Sequence, residues 1–181
     1  MSRQTALNKA KGGERTEIVL AGVGGQGLVF IGGLLGRAAT ARGQHAVQTQ
    51  SFGVASRGGF TKSDIILAEL PVAYPMVTEP DAVLALTDEA YHRYADLKPG
   101  ALLLYDSDNV AVDEGAPGRG FPFTTAARRE NLEGSYNVLA LGALVGMTQV
   151  VPEDAIREAV DGPNLKAFEL GLMLVQDERG G

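Results

Sequence analysis

The chain has 181 residues, 45% hydrophobic and 21% charged, which suits one folded domain with its own core and excludes a disordered or membrane-spanning composition. Its formal net charge of −6 opposes a polyphosphate backbone, and no basic run or basic-aromatic strip offsets that, so no nucleic-acid partner is expected. Zero cysteines exclude a disulfide scaffold, a thiolate zinc site, a cysteine nucleophile and any iron–sulfur cluster held by this chain's own thiolates.

Residues 1–16 are polar and basic and lack the apolar stretch of a signal peptide; they are expected to form a flexible tail ahead of a single domain over 17–177. No apolar run reaches about 18 residues, so no membrane span is expected and the cytoplasm is the expected residence.

Glu17–Ala21 is a short apolar run ending in glycines, followed by Leu28, Ile31, Leu34, Leu35 and Ala38 at helical spacing: strand, tight turn, helix. Gly43 is placed to end that helix, and Ala46–Ser51 reads as a second strand with Val47, Thr49 and Ser51 on one face. A third run, Asp64–Ala68, follows too soon for a crossover helix, so these two strands are expected to pair antiparallel. Pro71, Pro75 and Pro80 punctuate a turn-rich stretch before a buried strand over Asp81–Leu86. Thr87 caps a helix whose first turn carries Asp88 and Glu89, with Lys98-Pro99-Gly100 expected to end it.

Ala101–Tyr105 is another buried strand, and residues 106–120 read as a long polar surface loop. Four helices are expected after it: one after Thr125, one around Asn137–Met147, one opened by Pro152, and one from Asn164 towards Val175. The expected fold is α/β: a Rossmann-like layered domain with a mixed, partly parallel sheet and a helical C-terminal part.

Glycine, at 24 residues, is nearly twice the roughly 7% of average usage and is clustered. Gly22-Val-Gly24-Gly25-Gln26-Gly27 fits G-x-G-x-x-G between strand and helix, where glycines allow an anion to approach unpaired N–H groups. A dinucleotide site also needs an acidic residue near the end of the second strand, where this chain has Gln48, Thr49, Gln50 and Ser51, and no arginine stands there for a 2′-phosphate. A plain packing turn remains open.

A second loop, Ser51 to Gly59, sets Arg57 between Ser56 and the pair Gly58-Gly59; the guanidinium suits a carboxylate or phosphate, or a nearby carboxylate such as Asp64. Asp64 reads as a solvated strand residue, Asn137 as a helix cap, and His92 as part of a solvated helical face. His45 and His92, without an HExxH pattern, argue against catalytic zinc. No nucleophile elbow, P-loop or paired carboxylates emerge, so no catalytic residue is expected.

The runs A-G-V-G-G-Q-G-L (21–28), T-Q-S-F-G-V-A-S-R-G-G (49–59), P-D-A-V-L-A-L (80–86), K-P-G (98–100), N-V-L-A-L-G-A (137–143) and N-L-K-A-F-E-L-G (164–171) stand in one order. In that order the chain resembles the gamma subunit of the 2-oxoacid:acceptor oxidoreductases, the pyruvate, 2-oxoglutarate, 2-oxoisovalerate and indolepyruvate ferredoxin oxidoreductase group. The resemblance implies a subunit of a complex that oxidatively decarboxylates a 2-oxoacid on thiamine diphosphate with Mg2+. Electrons pass through iron–sulfur clusters to ferredoxin or a similar acceptor, and the acyl group usually passes to coenzyme A.

This chain has no thiamine-type G-D-G motif and no cysteine, so those groups are expected on alpha, beta and ferredoxin-like partner subunits, with none held by this chain alone. Gly24, Gly25, Gln26, Gly27, Ser56, Arg57, Gly58, Gly59 and Asn137 are the positions expected at the cofactor approach or subunit interface. One departure is that Val54-Ala55-Ser56 stands where the family often has Pro-Glu-Ser or Pro-Glu-Met. The alternatives are a stand-alone NAD(P)-dependent dehydrogenase and a non-catalytic regulatory module.

Overall fold

The computed structural model describes residues 15–52 and 59–177. Six strands form one sheet: β1 (Arg15–Val23), β2 (His45–Phe52), β3 (Phe60–Ala68), β4 (Ala82–Ala85), β5 (Leu102–Asp106) and β6 (Arg119–Phe121), in the spatial order β2-β3-β1-β4-β5-β6. β3 runs antiparallel to both β2 and β1, as expected from the short connection, whereas β1, β4, β5 and β6 are mutually parallel.

Parallel strands lie between two layers and so bury both faces. Ile18, Leu20, Ile65, Leu67, Leu84 and Leu104 share one core cluster. Their strand neighbours Val19, Ala21, Val83, Ala85, Leu103 and Tyr105 form the other. The period of two along each strand assigns the residues to their faces.

The first face is covered by α1 (Leu28–Ala41), α4 (Tyr136–Thr148) and α6 (Gly162–Asp177), with α3 (Phe123–Arg129) and α5 (Glu153–Arg157) beside them. α4 is buried without a break from Val138 to Gly146, because it lies between the sheet and α6. α4 and α6 meet at Gly142 and Gly171: a Cβ on Gly171 would collide with the Leu139 carbonyl oxygen, and one on Gly142 with that of Phe168. Among the described residues the second face carries α2 (Asp88–Arg93), through Ala90 and Tyr91, together with coil.

The structure differs from the expectations in several places. α2 stops at Arg93, well before Lys98, and Tyr94, Ala95 and Leu97 leave the helix to pack on the second core. The stretch expected as loop over 106–120 ends in β6, a three-residue strand paired with β5 and too short to show a period. α3 begins at Phe123, ahead of Thr125, because the Phe123 ring is wholly buried and starts the helix on the core. Asn137 is not the cap of α4: Ser135 holds that position, within a single 3-10 turn (Glu133–Ser135).

Asp64 is not solvated. It is 5% exposed, because β3 is an inner strand, and its Oδ2 pairs with Lys62 Nζ at 2.6 Å while its Oδ1 has no hydrogen-bond partner. His92 is exposed beside Asp88, as expected. No helix among the described residues is long and apolar enough to cross a membrane.

Candidate functional site

β1 delivers the chain to the carboxyl ends of the parallel strands, where the glycine turn begins. Gln26 N–H donates to the Val23 carbonyl at 3.3 Å, and Gln26 Oε1 turns back to accept from Val23 N–H at 2.8 Å. That return path passes over Gly22, where a Cβ would collide with Gln26 Oε1. Gly25 (φ 92) and Gly27 (φ 73) occupy the left-handed region, so the turn requires glycine at both. Gly27 is also the residue from which α1 starts, with no side-chain cap and no acidic residue in its first turn. Its first N–H groups therefore retain their partial positive charge.

α1 leaves along one face of the sheet and α2 along the other, so the glycine turn lies at the point where the chain's crossovers diverge on either side of β1 and β4. Open α/β sheets bind their ligands at such points. Leu86 N–H donates to the Ala21 carbonyl at 2.9 Å, which joins the end of β4 to the start of the turn.

The structure brings several of the expected residues together. Asn137 Nδ2 reaches the Gly27 carbonyl at 3.4 Å while its Oδ1 accepts from Val138 N–H at 2.9 Å, so the first turn of α4 abuts the glycine turn. A Cβ on Gly27 would strike that amide. Gly24 faces Thr61, whose hydroxyl donates to the Gly59 carbonyl at 3.4 Å, which places Gly59 at the same end. Ser56, Arg57 and Gly58 lie outside the described residues, and with them the pairing expected as an option between Arg57 and Asp64; among the described residues Asp64 pairs with Lys62. Val29 and Phe30, beside the exposed Gly24 and Gly25, carry large apolar side chains into solvent.

The structure also puts residues here that the sequence reading passed over. Gln48 Nε2 donates to the Val29 carbonyl at 3.0 Å and to Ser63 Oγ at 2.8 Å, through space left by Gly32, and so ties the first turn of α1 to β3. Asp106, at the end of β5, is fully buried and accepts from Thr124 Oγ1 at 2.6 Å, Asn109 Nδ2 at 2.7 Å and Asp108 N–H at 3.1 Å. Burial pushes its carboxyl above the usual range, against the pull of those hydrogen bonds. Nearby Tyr136 has a buried hydroxyl without a partner, and burial, followed by the Asp106 charge, raises its phenol. The available signal was position: an acid directly after a buried run, at the carboxyl edge of a parallel strand, and an aromatic next to Asn137.

The strand order departs from the dinucleotide-binding pattern, in which the second strand lies next to the first. β3 separates β1 from β2, so the end of the second strand stands two strand spacings, about 9.5 Å, from β1.

Comparisons with known proteins follow the same lines. The profile of the family described as pyruvate ferredoxin/flavodoxin oxidoreductase matches residues 17–173. The 2-oxoglutarate synthase subunit KorC of Methanocaldococcus jannaschii is 35% identical over 186 residues, covering 94% of this chain and 100% of that one. The crystal structure of the keto/oxoacid ferredoxin oxidoreductase gamma subunit of Geobacter sulfurreducens superposes with TM-score 0.77 at 40% identity, over 90% of this chain and 97% of that chain. A 2-oxoglutarate:ferredoxin oxidoreductase from Magnetococcus marinus shares the fold, with TM-score 0.79 at 24% identity, over 91% of this chain and 31% of that longer chain.

Proposed function

This chain belongs to the pyruvate ferredoxin/flavodoxin oxidoreductase family, and from that premise we propose that it works as the gamma-type subunit beside thiamine-binding alpha and beta chains and a ferredoxin-like chain. The observation that carries the reading is end-to-end correspondence with single gamma-type chains: 100% of the Methanocaldococcus subunit and 97% of the Geobacter one. With no cysteine in the sequence, cluster ligation by thiolates falls to partner chains. Thiamine diphosphate and Mg2+ are assigned to the alpha and beta chains, and the cytoplasm is the proposed residence.

For this chain's own part, the glycine turn is the proposed approach for coenzyme A or for a partner carboxylate. Three features support that use. Gly25 leaves open space where a Cβ would stand, the first turn of α1 has no acidic residue to repel an anion, and Asn137 and Gln26 fix the turn's shape. Coenzyme A would supply the thiol that accepts the acyl group. The backbone N–H groups of Gly24, Gly25 and Gly27 would donate to an anionic oxygen. Arg57, by its place in the sequence, is the proposed cationic side chain for the same anion. The solved Magnetococcus relative, which shares the fold, contains coenzyme A and succinyl-CoA.

Co-expression of the chain with the alpha, beta and ferredoxin-like subunits of such a complex tests the reading. Purification is expected to recover thiamine diphosphate and iron–sulfur absorption together with this subunit, and turnover of a 2-oxoacid panel headed by 2-oxoglutarate. A chain that never joins such a complex, or a complex that turns over unchanged without it, refutes the proposal; the second result favours a regulatory module. Within the complex, Arg57→Ala is expected to raise the apparent KM for coenzyme A or weaken association by about 1–3 kcal/mol, the range for a lost charged hydrogen bond. Unchanged kinetics and unchanged assembly would remove Arg57 from the site.

A further inference from the structure

At the end of the sheet opposite the glycine turn, the coil joining β3 to β4 combines two properties that rarely occur together in a surface loop. It exposes large apolar side chains: Leu70 is 62% exposed, Tyr74 60% and Met76 50%. Connecting loops normally show water polar residues and move freely. This one is held down at nearly every turn.

Arg15 spans two of its carbonyls, donating from Nη1 to Tyr74 at 3.0 Å and from Nη2 to Met76 at 2.8 Å. Buried Glu17 receives Arg15 Nε at 2.8 Å and the N–H groups of Thr78 at 2.9 Å and Glu79 at 3.0 Å. Asp81 accepts Glu17 N–H at 2.8 Å, and Lys98 bridges the Asp81 carboxylate at 2.8 Å and the Glu79 carbonyl at 2.6 Å. Val77 turns inward onto the second core, and Pro71, Pro75 and Pro80 restrict the chain further.

We propose that this loop, centred on Tyr74 and Met76, is a preformed docking surface for another subunit of the same complex, one presenting an apolar socket with a basic rim. The proposal rests on the gamma-subunit reading above. Rigidity matters because ordering a loop on binding subtracts from affinity, and here that ordering is complete before contact. The rim supplies the charge argument. Glu69 and Glu79 flank the apolar residues and are exposed, whereas Arg15 and Lys98, the cations beside the loop among the described residues, are engaged with carbonyls and carboxylates. A second copy of this chain would bring Glu69 and Glu79 against their like, within a chain of net charge −6. The surface is also independent of the glycine turn: β1 has nine residues, and eight steps of about 3.3 Å separate its two ends by about 26 Å, so both can be occupied at once.

The test uses the co-expressed complex with a benzophenone amino acid introduced in place of Tyr74 and, in a separate preparation, in place of Phe30 beside the glycine turn. Irradiation from position 74 is expected to link this chain to a different subunit, with the linked peptide, identified by mass, rich in Lys or Arg. The Tyr74→Glu/Met76→Glu variant is expected to unfold at the wild-type temperature in isolation yet to associate at least 10-fold more weakly. An active complex in which position 30 cross-links to a partner while position 74 links to nothing, or only to a second copy, overturns the docking surface and leaves the gamma-subunit reading standing. If neither position links to another chain and no complex forms, both proposals fall.

Discussion

Gly27→Ala tests the joint between the glycine turn and α4. An alanine at φ 73 pays the left-handed penalty of about 1–2 kcal/mol. Its Cβ would also occupy the place of the Asn137 amide, which must swing away and give up its contacts with the Gly27 carbonyl and Val138 N–H. Those are worth about 0.5–1.5 kcal/mol together, since one of them is long. The expected loss is therefore about 2–3 kcal/mol, or roughly 4–12 °C in Tm for a domain of this size.

Urea unfolding of the isolated chain measures the loss, read as a shift in midpoint at constant slope. The double variant Gly27→Ala/Asn137→Ala sharpens the test. Because Gly27→Ala already displaces the amide, removing it costs little more, and the double variant should lose about 1 kcal/mol less than the sum of the two single losses. Strict additivity would show that residue 27 and Asn137 do not meet, and a Gly27→Ala loss below about 0.5 kcal/mol would refute the strained turn itself.

Two other perturbations address the core and the loop anchor. Gly171→Ala places a Cβ against Leu139 O, Ala143 N and Gly142 Cα, all backbone atoms that cannot rotate aside, so α4 and α6 must separate. A loss of about 3 kcal/mol, the upper end for overpacking, is expected by calorimetry, and wild-type stability would contradict the close crossing. Glu17→Gln addresses acid stability. Burial alone would raise the Glu17 carboxyl, but hydrogen bonds from Glu79, Thr78 and Arg15 outweigh it and hold the group below its ordinary value of 4.5. A depressed carboxylate stabilises above the unfolded value and loses that contribution as pH falls through the folded one. Wild-type stability should therefore decline more steeply than the variant's below about pH 4.5, and parallel profiles would refute the anchor.

Much of the architecture was legible because local rules and tertiary demands agreed. The glycine-terminated strand followed by Leu28, Ile31, Leu34 and Leu35 had one reading, and the short connection between β2 and β3 forced them antiparallel. Thr87 with Asp88 and Glu89 marked the start of α2, and Thr87 Oγ1 accepts from Ala90 N–H at 3.4 Å. Where α2 ends was not legible, since Tyr94 and Leu97 suit a helix as well as the core they join. β6 had no pattern to read, being only three residues paired on one side.

For the site, the amino-acid sequence by itself established the glycine turn, the absence of thiolates and the ordered runs shared with one family. Those are properties of residue type and spacing, which survive without coordinates. Proximity belongs to the tertiary structure. Asn137 lies 110 residues beyond the Gly27 carbonyl it touches, Asp64 became an inner-strand residue only once β3 entered between β2 and β1, and Arg15 met the carbonyls of Tyr74 and Met76 only after the coil folded back on β1. Contacts between distant segments depend on strand order and helix crossing, which are settled by packing the whole chain at once.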